Sequence, residues 1–136
     1  MNVATADRGD YLKLAARILM MVLFVPFGWN KLIHFAATTS QMAHYGLPLP
    51  LLAAIIAVVM ELPVGVAIAL GAYARPLAGL LAVYTLAAGF IGHHYWTMDG
   101  AARAGNLINF YKNIAIMGGL LQLCASGPGR FSVDRS

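Results

Sequence analysis

Residues 51–72 read LLAAIIAVVMELPVGVAIALGA, and the one charged residue among them is Glu61. About ten apolar residues flank it on each side. A helix of roughly 20 residues crosses a hydrocarbon core of ~30 Å at 1.5 Å per residue, so this stretch is long enough to span a bilayer, with an acid near its centre. A carboxyl group at that depth costs about 2.5–3.5 kcal/mol on insertion scales and calls for partners. The segment fixes the class of molecule. The rest of the chain has to supply both the remaining spans and those partners.

The composition agrees with that reading. The chain has 136 residues, 60% hydrophobic and 10% charged, with a mean hydropathy of +0.73. Soluble domains carry about 25% charged residues, so lipid is the solvent that fits. Working outward, a first apolar run covers residues 11–33. It ends in Gly28-Trp29-Asn30-Lys31, which lacks the small residues of a signal-peptidase site, so it reads as a retained span. Residues 36–45 are too polar to cross and read as a short interfacial or re-entrant helix, followed by the breaker-rich Gly46-Leu47-Pro48-Leu49-Pro50. A short turn around Gly71–Pro76 makes the next span, residues 77–93, an antiparallel neighbour. Residues 94–106 read as a polar loop with interfacial aromatics. A last span covers 107–126, with unusually polar first turns: Asn106, Asn109, Lys112 and Asn113. Residues 1–10 read as a disordered tail. The expected fold is therefore all-α: one domain over 1–136, a four-helix transmembrane bundle with an interfacial helix between the first and second spans.

Charge and cysteine content remove several functions. The net charge of +4 comes without a Lys/Arg run or a polar surface for a basic patch, which excludes nucleic acid as a partner. It reads instead as topology. Arg8, Lys13, Arg17, Arg75, Arg130 and Arg135 fall at one side, and Lys31, Arg103 and Lys112 at the other. Six against three places both termini in the cytoplasm. The single cysteine, Cys124, reads as packing, and the absence of CxxC argues against thiol-oxidising membrane enzymes. Adjacent His93 and His94 point about 100° apart on a helix, so no metal site is expected.

With that topology, Lys31, His93, Lys112 and Asn113 lie toward the outer side of Glu61, which itself stands near the midplane. Polar groups from all four spans are expected to converge there. Glu61 is either a neutral acid bridging helices or a carboxylate paired with a cation. It also reads as a clamp that fixes packing or as a proton-handling acid. Arg17 reads as snorkelling to the cytoplasmic headgroups, and Gln122 as a hydrogen bond between helices.

Several motifs together resemble one family. They are Phe27-Gly28-Trp29-Asn30-Lys31-Leu32, Gly46-Leu47-Pro48, Glu61, His93, Lys112-Asn113 and the tail Gly127-Pro128-Gly129-Arg130-Phe131-Ser132-Val133-Asp134. In order and spacing they are similar to the DoxX family of small bacterial inner-membrane proteins, over about residues 11–134. Pro63 departs from the glycines that often follow the family's Glu. The resemblance implies a four-helix membrane domain and association with redox systems, among them the DoxD subunit of a thiosulfate:quinone oxidoreductase. It supports redox association more than any particular reaction; with the residues above, the leading reading is an accessory subunit of a quinone-linked oxidoreductase in the bacterial inner membrane, engaging a quinone-like ligand in the outer half of the bundle. Glu61 would be the proton-linked acid, Lys31, His93, Lys112 and Asn113 would bind ligand, and quinone would be the cofactor although no motif encodes it. The expected partners are the lipid bilayer, a soluble redox enzyme and further copies of the chain. The competing readings are a non-catalytic anchor for soluble redox or stress-response enzymes and a small-solute transporter.

Overall fold

The computed structural model describes residues 5–134, and those residues form helices and turns with no strand. The helices are α1 (Arg8–Ile33), α2 (Phe35–His44), α3 (Pro50–Glu61), α4 (Pro63–Leu70), α5 (Ala74–Gly92) and α6 (Gly100–Ser126), with a 3-10 turn at Tyr95–Thr97 between the last two. Three stretches are long and apolar enough to cross a membrane: Arg8–Ile33, Pro50–Leu70 and Ala74–Thr97. The fourth long helix, α6, has 27 residues, about 40 Å by helix rise. Its polar first turns separate it from the other three.

The helix starts differ from the expected bounds for identifiable reasons. Residues 8–10 are not tail. Asp7 caps α1, accepting from the Asp10 backbone N–H at 2.9 Å, and the Asp10 carboxylate accepts from the Asp7 N–H. Two amide groups that a helix start leaves unpaired are thereby satisfied. The segment 94–106 is not one loop either, since α6 begins at Gly100. Residues 1–4 of the expected tail, and Arg135, lie outside the described residues.

The stretch that decided the fold is two helices rather than one. Pro63 has no N–H to give to the carbonyl four residues back, and its ring crowds that turn. Leu62 breaks the run between Glu61 and Pro63. The break falls next to the buried acid. Gly71, with φ +79, then closes α4 in the left-handed conformation that glycine accepts.

The core is a belt of Met21, Phe24, Met60, Ile68, Ala78, Leu81, Ala82, Leu120 and Leu123, drawn from α1, α3, α4, α5 and α6. Large apolar side chains such as Leu19, Val59 and Val83 stay exposed, as lipid-facing positions should. The start of α1, the α4–α5 turn and the residues after α6 gather at one end. Tyr11 packs on Phe131 with ring centroids 5.0 Å apart, and Asp10 accepts from the Arg130 N–H at 3.0 Å.

Candidate functional site

Glu61 lies midway along Pro50–Leu70, on the last turn of α3, and is 6% exposed. What brings partners to it is a glycine. A Cβ at Gly28 would sit 2.7 Å from the Leu62 nitrogen and 2.9 Å from the Glu61 Cβ, so only a hydrogen there lets α1 cross the α3–α4 break backbone to backbone. Lys31 stands three residues along on the same face of α1. Its Nζ reaches Glu61 Oε1 at 2.8 Å, the one salt bridge among the described residues. The other oxygen, Oε2, accepts from the Tyr84 hydroxyl of α5 at 2.6 Å. One buried carboxylate thus ties three helices together through two short, charge-assisted hydrogen bonds.

The pair is unequally enclosed. The Glu61 side chain is 8% exposed and that of Lys31 28%. Lys31 also lies over the Phe27 ring, 5.8 Å from its centroid, within range of a cation–π contact. An ammonium has three N–H donors, and one is committed to Glu61. The end of α1 is held by Thr38 of α2, whose hydroxyl donates to the Lys31 carbonyl at 3.1 Å.

Of the residues expected at the site, the fold brings Lys31 and Glu61 together. It gives the others different company. His93 Nδ1 lies 2.9 Å from Asn106 Oδ1, joining the end of α5 to α6. The Asn113 amide donates to the Thr85 carbonyl at 3.3 Å, again between α6 and α5. Lys112 is exposed. Tyr84 was missed. Its signal was a hydroxyl beside that of Thr85 inside an apolar span, which a reading for packing absorbs.

A second buried polar cluster occupies the opposite end. Arg17 is fully buried, with Nη1 donating to the Ala69 carbonyl at 3.1 Å and Nη2 to that of Phe131. Its Nε has no partner among the described residues. The expected snorkelling does not occur. The tail folds back over the guanidinium and closes it off. Val133 and Asp134 donate backbone N–H bonds to the Leu70 and Gly71 carbonyls at 3.0 and 3.2 Å, and the Asp134 carboxylate accepts from the Tyr73 N–H. Ser132 bonds within the tail to the Gly129 and Asp134 carbonyls. The residues that matched a tail motif therefore form a strap across α1 and the α4–α5 turn.

Comparison with known proteins shows the family. The DoxX family model matches residues 12–94, which include Arg17, Gly28, Lys31, Glu61 and Tyr84. The chain belongs to the DoxX family. It is 51% identical over 124 residues to the inner membrane protein YphA of Escherichia coli, covering 91% of this chain and 89% of that protein. It is 38% identical over 125 residues to the inner membrane protein YqjF of the same organism, covering 90% and 88%. A more distant likeness, 25% identity over 143 residues, is to a Surfeit locus protein 4 homolog of Schizosaccharomyces pombe; it covers 97% of this chain and 39% of that protein. No solved structure matches. This DoxX protein is a membrane protein with apolar helices, and its inner-membrane relatives align along nearly its whole length. Among its described residues no group of three His, Cys, Asp or Glu could hold a metal ion.

Proposed function

We propose that this DoxX protein is an inner-membrane subunit of a redox system that binds a quinone-like head group at Lys31, Glu61 and Tyr84. The observation that carries this reading is the unequal enclosure of the ion pair: a carboxylate with both oxygens engaged, and an ammonium that is 28% exposed with N–H donors to spare. Those donors suit a ring carbonyl, and Phe27 supplies an aromatic wall beside them. Such a ligand, when bound, supplies two-electron, two-proton chemistry. Lys31 holds the ring oxygen and offers it positive charge. Glu61 stores a proton close to that oxygen, and Tyr84 keeps the carboxyl aimed at Lys31. The electrons come from a partner enzyme. In this reading His93, Asn113 and Lys112 act in helix packing and at the surface rather than on the ligand.

The same reading takes α6 as a fourth span, giving a four-helix bundle with α2 at the interface. The gathering of the start of α1, the α4–α5 turn and the strap at one end supports an even number of crossings. Arg8, Lys13, Arg17, Arg75 and Arg130 belong to that end, which supports a cytoplasmic location for both termini. The test is binding of a photoreactive quinone analogue to the protein in nanodiscs, followed by mapping of the labelled peptides. Labelling should fall around Phe27–Lys31 and decrease by at least roughly ten-fold in Lys31→Met. Labelling unchanged in both Lys31→Met and Glu61→Gln would end the proposal.

A second reading, a non-catalytic anchor for a soluble enzyme, is favoured by the saturation of both Glu61 oxygens, since a saturated carboxylate can serve as a packing clamp alone. It predicts no labelling, together with retention of a cytoplasmic redox enzyme on purification.

A further inference from the structure

We propose that the Tyr45 hydroxyl is the second polar contact of the ligand held at Lys31, so that the site is built for a ring carrying an oxygen at each end. The inference rests on the reading above and adds to it the shape of what is bound.

Helix α2 is too short to cross a bilayer: its 10 residues rise about 15 Å. It closes the end of the bundle opposite the strap. At α1 it is tied by the Thr38 hydroxyl, which donates to the Lys31 carbonyl at 3.1 Å. Along its length it packs on α3. Tyr45, which continues the helical backbone past His44, reaches the end of α5: a Cβ at Gly92 would stand 3.6 Å from the Tyr45 hydroxyl oxygen. Thr38 and Tyr45 lie about two turns apart on one face of α2. That face is turned inward, since Thr38 is buried and Tyr45 half-buried, while Ala43 and His44 are exposed. So α2 bridges α1, α3 and α5, the same three helices that the Lys31–Glu61–Tyr84 cluster joins, and roofs that cluster.

The hydroxyls of Thr38, Tyr84 and Thr85 each donate to a carbonyl or carboxylate of the fold. That of Tyr45 makes no hydrogen bond among the described residues, although a phenol tucked into a bundle ordinarily finds a partner. It stands close enough to Tyr84 for the two hydroxyls to interact electrostatically, so it faces the cluster. Two unused groups thus approach one place, the spare N–H donors of Lys31 from α1 and the Tyr45 hydroxyl from the roof. Glu61 and Tyr84 cannot take the second role, because both Glu61 oxygens and the Tyr84 proton are already engaged. The two free groups differ in what they accept. An ammonium only donates, and it suits an oxygen that carries negative charge. A hydroxyl donates and accepts, so it holds an oxygen with or without a proton. A ring with two opposed oxygens presents one to each. A ring with a single oxygen would use Lys31 and leave Tyr45 idle.

The test is competition against the photoreactive quinone analogue in nanodiscs. The competitors are duroquinone and the matching tetramethylphenol, which keeps the ring and its methyl groups but lacks one of the two oxygens. In Tyr45→Phe, duroquinone should compete about five-fold less well than in the wild type, the loss of one hydrogen bond. Tetramethylphenol should compete equally well in both. The unfolding midpoint of Tyr45→Phe should not move, because the hydroxyl has no partner in the fold and the ring keeps its place over Gly92. Equal losses for both competitors, or a midpoint that falls as far as in Tyr84→Phe, would make the hydroxyl structural and overturn the inference. Unchanged competition by duroquinone would overturn it as well. In each of those results the wild type is still labelled and Lys31→Met is not, so the ligand reading survives. A wild type that takes no label would remove that reading, and the role of Tyr45 with it.

Discussion

Among its described residues the molecule buries charge at two places, and it treats them in opposite ways. Around Glu61 the charge has a counter-ion: Lys31 from α1, with Tyr84 on the second oxygen, and the cation of the pair is partly open. Around Arg17 there is no carboxylate among the partners. Two backbone carbonyls, Ala69 and Phe131, hold a guanidinium with no exposed surface. The difference is one of purpose. A guanidinium cannot shed its charge, so burying it requires a fixed shell, and the chain builds one by folding its own tail across the site. A carboxylate that loses its cation can take up a proton, so its surroundings can be left adjustable. The Arg17 end is a closed structural knot, whereas the Glu61 centre retains unused donors.

If that contrast is right, the knot should dominate stability. Arg17→Leu leaves the Ala69 and Phe131 carbonyls without donors, each loss worth about 1–3 kcal/mol. The expected total is about 3 kcal/mol, read as a lower unfolding midpoint in detergent. Because the tail supplies one of the acceptors, deleting residues 130–136 should cause much of the same loss, and the two changes combined should cost clearly less than their sum. Full additivity would mean that strap and guanidinium stabilise the fold independently.

Gly28→Ala comes next. The added methyl would stand 2.7–2.9 Å from the backbone and Cβ at Glu61–Leu62, so α1 must shift away from the break. Overpacking of this kind costs about 1–3 kcal/mol. The shift also pulls Lys31 from Glu61, so ligand labelling should decline with stability. Gly118→Ala, with open space around it, should cost the isolated protomer nothing and is the matched control. Tyr84→Phe keeps the ring and removes one hydrogen bond to a charged group, worth about 1.5 kcal/mol. Its effect should vanish in a Glu61→Leu background, which a double-mutant cycle measures.

The same contrast sorts what could be read from the sequence. Apolar runs depend on local composition and were legible; Pro63 was visible in the second run, but that it divides the run into two helices was not drawn from it. Lys31 was legible only as one of several candidate partners for Glu61, beside His93, Lys112 and Asn113, and the fold selects it among them. The knot was not legible. Arg17 one turn and a half inside a span has the same sequence pattern whether it snorkels or is buried. The deciding contact, with Phe131, spans 114 residues. The strap residues were visible as a tail motif after Gly127-Pro128-Gly129, but nothing local to them says where they fold back. The Asp7–Asp10 cap could have been found, since an acid three residues after an Asp just before an apolar run signals a helix start. Tyr84 could not, because a hydroxyl in an apolar span shows its role only once the neighbouring helix is placed.

Removing the whole ion pair is expected to cost less stability than the changes at Arg17, Gly28 or Tyr84. Lys31→Leu/Glu61→Leu eliminates both charges, and replacing a buried pair by apolar residues of similar volume is often neutral. The Tyr84 hydroxyl loses its acceptor, which sets a cost of about 1 kcal/mol. The unfolding midpoint should therefore move little, while labelling by the quinone analogue disappears. Arg17 has no equivalent rescue, because its partners are backbone groups that no substitution removes. A double variant as unstable as Arg17→Leu would make the Glu61 cluster a second knot and support the anchor reading. A stable double variant that no longer binds would separate folding from function at the centre of the bundle.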